Sequence, residues 1–304
     1  WWWLVWWDTT SFFLADRGWD VFTLHYTVRG PLSTMLEPSM IKYHMLFKRL
    51  WALKHVEYVV CSKIWKDMIC HAKLLRSMKK DLTAITIPLQ FYTSTMIHFI
   101  QQIQYYILFE VIECSWMNML ERIEKARALD DILEAHQEFL KDAHDGAFFN
   151  LNANIFSTMD SAFSACLKLE KWQQNFYDLC MKELSARKAE EEMIKISGVK
   201  GKYGLTADKR LERDQERKLF EECLPKLNCE LKVIVKDFET HARTVLLALA
   251  SSNDHNLQLF GTRLDFNEYY KKRDQNLDAP LTFAKLRVSS MMVRQRNSNN
   301  RYNN

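Results

Sequence analysis

Apolar positions recur every three or four residues along most of the chain, which is the period of an α-helix that packs on one side. The first such pattern runs from Ser39, a candidate N-cap that follows Pro38, to about Met78. A second helix is predicted from Pro88, because proline suits the first helical turn. Its stretch Met96 to Cys114 carries two apolar stripes, so we expect this helix to pack against more than one neighbour.

Two further helices are predicted in the middle of the chain. Asp130 is the candidate N-cap of the first, which runs to about His144 and is stopped by Gly146. The second is long and carries apolar residues at helical spacing from Phe156 to Leu184. It leads into a glycine-rich stretch at about residues 197–206, which we predict to be a mobile loop.

The helical pattern resumes near Ala207, and Pro225 is expected to kink or divide this helix. A last helix is predicted to start after Asn253 or Asp254 and to run to Lys272. Its last turn is basic, as the helix dipole favours. Residues 279–304 contain basic side chains and no acid, so we expect a disordered tail there.

Residues Trp19 to Val28 follow a different pattern, in which apolar and more polar side chains alternate. Phe22, Leu24 and Tyr26 would lie on one side, which predicts a short strand or an extended arm with one apolar face. The Gly30-Pro31 pair ends the pattern.

The composition supports a helical fold, because the 304 residues include only 7 Gly and 5 Pro. We therefore predict an all-α fold, an elongated helical bundle of long helices with a short N-terminal extended arm. The bundle domain is placed at residues 17–278, between an atypical Trp-rich start (residues 1–16) and the basic tail (residues 279–304). The sequence does not begin with Met, and we expect it to be a fragment of a longer protein.

Charge and hydropathy argue against two classes of partner. The net charge of +4 is small and mixed along the chain, so nucleic acid is not predicted. A membrane is not predicted either, because the apolar run Trp1 to Trp7 is far shorter than the roughly 20 residues of a spanning helix. The seven cysteines form no C-x-x-C pair, and we interpret them as reduced core residues of a cytosolic protein.

No motif calls for a cofactor or a metal. Glycine-rich phosphate-binding motifs are absent, and so are the Glu-x-x-His and His-Glu-x-x-His pairs of helical metal sites. Asp130, Asp131 and Glu134 have the DDxxE spacing and resemble the magnesium motif of all-helical isoprenoid-type enzymes, which is one alternative. The second acidic motif of such enzymes is missing, so we favour helix capping for these carboxylates.

The best candidate for a binding surface is Arg263 to Tyr270 (RLDFNEYY). On one continuous helix, Arg263, Phe266, Asn267 and Tyr270 would share a face. Arginine and aromatic residues are typical anchors of protein interfaces. Periodicity alone leaves ordinary packing of these residues open.

Several segments, in this order, resemble the C-terminal domain of the gamma-tubulin complex components. The matching segments are Gly18 to Phe22 (GWDVF), Tyr26, Gly30 to Leu32, Tyr43 to Tyr58 (YHMLFKRLWALKHVEY), Ile64-Trp65, Ala72 to Leu75, Met96 to Trp116 (MIHFIQQIQYYILFEVIECSW), Leu129 to Ile132, Ala135-His136, Phe139-Leu140 and Arg263 to Tyr270. They span about Arg17 to Arg273. GWDVF, MIHFI and FEVIECSW are most similar to component three, and component two is the main rival.

The resemblance implies a scaffold rather than an enzyme, one that binds gamma-tubulin and positions it to template microtubule nucleation at minus ends. It implies a place in the cytoplasm and cytoskeleton, at centrosomes, spindle poles or other microtubule organizing centers. The gamma-tubulin contacts expected from it are Trp19, Phe22, Tyr26, Arg263, Asp265, Phe266, Asn267 and Tyr270. Other components, above all a component-two-like one, are expected partners through an N-terminal half that this sequence lacks. A helical adaptor for another protein is the remaining alternative.

Overall fold

The computed structural model describes residues 19, 22–24, 26–30, 33–146, 153–199, 207–252 and 255–273. These residues form the predicted all-α fold, and none of them lies in a β-strand. The α-helices are α1 (Ser33–Glu57), α2 (Trp65–Leu74), α3 (Lys79–Tyr105), α4 (Cys114–Lys125), α5 (Leu129–His144), α6 (Ala153–Val199), α7 (Ala207–Ala250) and α8 (His255–Leu264).

Four predicted features fall partly or wholly outside the described residues. The Trp-rich start and the basic tail do so entirely. Of the predicted loop, residues up to Val199 belong to α6, and residues 200–206 are not described. In the predicted arm, residues 22–24 and 26–29 have no regular secondary structure.

Three prolines lie inside helices, where the sequence had placed helix boundaries. Pro38 lies within α1, Pro88 within α3, and Pro225 within α7, which continues through it. A proline in a helix interior costs about 3 kcal/mol, whereas each large apolar side chain that is fully buried contributes roughly 1.5–3 kcal/mol. Side chains with at most 2% exposure surround Pro88 in sequence, namely Leu82, Ile85 and Leu89. Tertiary burial therefore outweighs the local penalty there, and the predicted boundary at Pro88 is wrong.

The start of α1 also differs from the prediction. The helix begins at Ser33, whose backbone N–H donates to the carbonyl of Gly30 at 3.1 Å. Ser39 lies inside the helix and is buried, so it is not the N-cap.

Two wider helical turns join the first helices. Tyr58–Ile64 connects α1 to α2 and Tyr106–Glu113 connects α3 to α4, both with π-helical hydrogen bonding, and a short 3₁₀ turn, Leu75–Met78, leads into α3. Such i→i+5 turns are rare and are often found at functional sites. The second one supplies Glu110 to the candidate site described below.

The described residues fall into two compact units. The first takes its described residues from Trp1–Val56, His98–Ser161 and Thr240–Asn304. Its core includes Leu46 of α1, which packs with buried apolar side chains of α4 and α5. The Tyr43 hydroxyl lies 2.9 Å from Nε2 of His136, and the rings of Tyr106 and Phe260 stack at 4.5 Å.

The second unit takes its described residues from Glu57–Ile97 and Ala162–Glu239. Its buried charges are paired: Glu183 is 5% exposed and accepts hydrogen bonds from Arg213 at 2.6 Å and from Arg187 at 2.8 Å. Burial opposes the ionised carboxylate, but the two guanidinium groups outweigh it and lower the pKa of Glu183.

All seven cysteines are free, but only two fit the expectation of core residues. Cys166 and Cys180 are fully buried, and burial raises the pKa of both thiols, that of Cys180 to about 12. Cys70, Cys114 and Cys229 are exposed. The interpretation of all seven as core residues is therefore wrong for these three.

Candidate functional site

The segment Arg263 to Tyr270 does not form the continuous helix predicted from its sequence. Helix α8 ends at Leu264, and residues 265–270 form a turn. The Asp265 carboxylate accepts hydrogen bonds from the backbone N–H groups of Tyr270 at 3.1 Å and Lys271 at 2.8 Å. Glu268 has a left-handed φ of 55°, which a helix cannot accommodate. The buried carboxylate therefore holds the chain in a turn, and helical periodicity fails beyond Leu264.

The turn divides the predicted face into an exposed part and a buried part. Phe266 is 77% exposed, and Asn267 is exposed beside it. Asp265 and Tyr270 are buried, so the prediction that Arg263, Phe266, Asn267 and Tyr270 share one face is wrong. Asp265 and Tyr270 support the turn, while Phe266 and Asn267 are presented to solvent.

Arg263 is held by an acidic side chain of the same unit. Its guanidinium makes a bidentate pair with Glu110, in which Nη2 donates to Oε2 at 2.6 Å and Nη1 donates to Oε1. The hydrogen bonds to Glu110 raise the pKa of Arg263 above its ordinary value. Bidentate pairing fixes the orientation of the side chain as well as its charge. Arg263 thus connects the end of α8 to the segment Tyr106–Glu113.

Two exposed aromatic residues that were not among the predicted contacts lie beside this pair. Cζ of Arg263 lies 5.8 Å from the centroid of the Tyr105 ring, and the rings of Tyr105 and Phe109 are 5.0 Å apart. Both rings are about half exposed. They belong to the stretch Met96 to Cys114, for which packing against more than one neighbour was expected. Tyr105 and Phe109 are four residues apart and belong to neither apolar stripe. This spacing was the signal that could have identified them as a pair of exposed aromatic residues.

The arm uses two of its predicted contact residues to hold itself against α1. The Trp19 ring stacks on His55 at 4.6 Å, and its backbone carbonyl accepts a hydrogen bond from Nε1 of Trp51 at 2.8 Å. Phe22 lies 4.7 Å from the Trp51 ring. Trp19 and Phe22 are therefore partly buried within the chain, whereas Tyr26 is 57% exposed. Of the three, Tyr26 is the one whose side chain is most available to a partner.

Two of the three DDxxE carboxylates, those of Asp131 and Glu134, are engaged in local contacts. Helix α5 begins at Leu129, so Asp130 is its second residue and not its N-cap. Asp131 instead accepts hydrogen bonds from the backbone N–H groups of Arg127 at 2.9 Å and Ala128 at 3.0 Å, and these bonds lower its pKa. Glu134 lies 3.6 Å from Arg122.

The described part of the chain holds neither a candidate metal site nor a candidate membrane-spanning helix. No group of three or more His, Cys, Asp or Glu side chains in it could hold a metal ion. Nor does any described helix combine the length and the apolar character needed to cross a membrane.

Residues 7–270 match the family model described as "Gamma tubulin complex component C-terminal". The chain is 48% identical to gamma-tubulin complex component 3 of Drosophila melanogaster, over 92% of this chain and 31% of that protein. Identity to component 3 of Homo sapiens is 33%, over 88% of this chain and 29% of that protein. Identity to component 2 of Mus musculus is 26%, over 88% of this chain and 30% of that protein. The chain spans about a third of the length of these relatives, and the expected likeness to component three is confirmed.

Proposed function

Because the chain belongs to the gamma-tubulin complex component family, we propose that it is a scaffold segment that binds gamma-tubulin and positions it to template microtubule nucleation. In this role the chain performs no chemistry of its own. It acts in the cytoplasm, at a centrosome, spindle pole or other microtubule organizing center, together with other components of the complex.

The physical advantage of such a scaffold is entropic. Each tubulin that joins a new microtubule loses translational and rotational freedom, at an estimated cost of 4–15 kcal/mol. A scaffold that already holds gamma-tubulins side by side has met this cost before nucleation begins. Incoming tubulin then adds to a preformed row at a high effective concentration.

The observation that carries the proposal is the exposed Phe266. A Phe side chain that is 77% exposed forgoes the free energy that its burial would contribute. The turn that holds Phe266 in solvent is fixed by the buried carboxylate of Asp265. Arg263 precedes it by three residues and brings the exposed rings of Tyr105 and Phe109 to the end of α8. Aromatic and arginine side chains on a rigid support are characteristic of binding anchors. We define Tyr105, Phe109, Arg263, Phe266 and Asn267 as the α8-end surface.

The test is binding of purified gamma-tubulin to the 304-residue chain and to its Phe266→Ala variant. We expect about a tenfold loss of affinity, the size typical of an interface anchor. The melting curve should not change, because the Phe266 side chain is exposed and contributes little to core packing. Phe91→Ala is the matched control, since Phe91 is also an exposed Phe, at 52%, and lies in the second unit. We expect it to bind normally.

Two results would count against the proposal in different ways. Equal affinities of wild type and Phe266→Ala would remove the α8-end surface from the interface and leave the family function standing. Absence of gamma-tubulin binding by the correctly folded wild-type chain would refute the proposed function itself.

A further inference from the structure

A second surface, on α2 and the turn that follows it, is strongly basic. Between Lys63 and Lys80 the chain has six Lys or Arg residues and one acid, Asp67. Lys63 is engaged by Glu170 at 2.9 Å. The other five are exposed, and none forms an ion pair with any residue that the structure describes: Lys66, Lys73, Arg76, Lys79 and Lys80. This positive charge is therefore not neutralised within the described fold.

The basic side chains are interleaved with exposed apolar ones. Trp65 is 40% exposed and Ile69 is 58% exposed. At about 100° per residue, Trp65, Lys66, Ile69 and Lys73 fall within roughly 100° of arc around α2. We call these four residues together with Arg76, at the start of the next turn, the α2 face.

The opposite side of the same segment is anchored in the core of the second unit. Met68, Leu75 and Met78 are buried with at most 6% exposure. The carbonyl of Ile64, just before α2, accepts a hydrogen bond from Nε2 of Gln173 at 3.0 Å. Close-packed side chains hold a helix in one orientation. The α2 face is thus presented to solvent by a fixed support.

We propose that the α2 face binds an acidic segment of a protein partner, one that also carries apolar side chains. The unneutralised Lys and Arg side chains favour carboxylates, and such charge complementarity sets specificity and association rate. Trp65 and Ile69 would then bury their exposed surface against the apolar side chains of the segment. Tryptophan is among the residues most enriched at the energetic centre of interfaces.

The small apolar area favours a protein segment over a membrane surface. A helix that lies in a membrane interface needs a continuous apolar face, and many such helices have about 20–30 residues. Helix α2 has 10 residues and exposes Trp65 and Ile69 on this face. Nucleic acid is less suited, because sequence-tolerant binding of single strands relies on several stacking aromatic rings, and this face has one.

This inference does not depend on gamma-tubulin binding, because the α2 face lies in the second unit and the α8-end surface in the first. Each surface can fail its test while the other passes.

The test measures binding of a labelled synthetic peptide, made of Glu with Leu at every fourth position, to the whole 304-residue chain. The key variant is Lys66→Gln/Lys73→Gln/Arg76→Gln. Its control is Lys182→Gln/Lys188→Gln/Lys195→Gln, which removes the same charge from exposed positions of α6. We expect the first variant to weaken binding roughly eightfold, because each exposed ion contact changes affinity by roughly twofold. The control should stay within about twofold, and added salt should weaken the wild type towards the first variant.

A second pair of probes tests the apolar part. Ile69→Gln should weaken binding of the Glu–Leu peptide and leave binding of an all-Glu peptide unchanged, because the lost contact is apolar. Equal losses in the two triple variants would overturn the proposal, as would no effect of Ile69→Gln on the Glu–Leu peptide. Tighter binding of phosphatidylserine vesicles or of single-stranded DNA than of the peptide, lost in the first triple variant, would also overturn it.

Discussion

Replacing Gly146 by alanine sets a local preference against a packing constraint. Alanine is favoured over glycine in a helical backbone by about 1 kcal/mol, so local propensity predicts that Gly146→Ala is stabilising. A Cβ built at Gly146, however, would lie 2.8 Å from Cγ2 of Val111 and closer still to Cγ1. Val111 is buried and belongs to the segment Tyr106–Glu113. Because valine is branched at Cβ, it has little freedom to rotate away.

The magnitudes decide the sign. Overpacking by one methyl group costs about 1–3 kcal/mol, which exceeds the gain in propensity at most values in that range. We expect Gly146→Ala to lower the free energy of unfolding by about 1 kcal/mol. Val111→Ala should cost about 2 kcal/mol, from two lost methyl groups at about 0.8 kcal/mol each and the cavity they leave. In the double variant the new methyl group of residue 146 enters that cavity.

A double-mutant cycle measured by chemical denaturation checks this reasoning. The double variant should be more stable than the sum of the single effects predicts, by about 1 kcal/mol or more. Comparing the variants by two spectroscopic probes guards against separate unfolding of the two units. A stabilising Gly146→Ala, or strictly additive effects, would show that Val111 does not restrict this position. If Gly146→Ala is destabilising but the effects are additive, the helix stop predicted from the sequence would remain as the role of Gly146.

Two further predictions follow from charged groups of the first unit. If Arg263 acts by fixing the end of α8, Glu110→Arg and Arg263→Glu should each weaken gamma-tubulin binding, and the double variant with the charges exchanged should restore it. A double variant that binds no better than the single variants would instead place Arg263 in direct contact with gamma-tubulin. Burial lowers the pKa of His136 below its ordinary value near 6.5, so the folded state favours the neutral ring. The contribution of His136 to stability is therefore present above about pH 6.5 and is lost as the pH falls. His136→Gln should therefore lose less stability than wild type between pH 7.5 and 5.5 in denaturant titrations, and an identical loss would contradict the assignment.

The helical architecture was predictable because its signal is repeated over many residues. Apolar spacing in the stretch that became α3, and again in α6, reports burial on one side without reference to any partner. Positions that depend on a distant contact were not predictable in the same way. Gly146 has no space for a Cβ because Val111, 35 residues earlier in the chain, lies against it. No local sequence pattern contains that information. Pro88 remains inside a helix for a similar reason, since its neighbours are buried by other elements.

The candidate site was located in the right segments, but the role of each side chain depended on tertiary contacts. Phe22 was placed on the apolar side of the arm, and it packs on Trp51 of α1. Trp19, which the alternation places on the other side, packs on the same ring. Tyr26, in the same alternation, is left exposed. Alternation states which side chains lie together and is silent about what covers them. The gamma-tubulin contact predicted for all three therefore remains a prediction, and Tyr26 is where it is best tested.

The same distinction explains the error at Arg263 to Tyr270. Helical periodicity assumes that each backbone N–H is satisfied by the carbonyl four residues before it, and the Asp265 side chain breaks this assumption by accepting the N–H groups of Tyr270 and Lys271. The Asp265 side chain can compete with the backbone carbonyls for these N–H groups, whatever the tertiary structure. Burying its charge costs free energy, so the turn forms only where other contacts support it. The buried Tyr270 supplies part of that support. Breaking the helix is thus what exposes Phe266, because the turn sends Tyr270 into the core while Phe266 faces solvent.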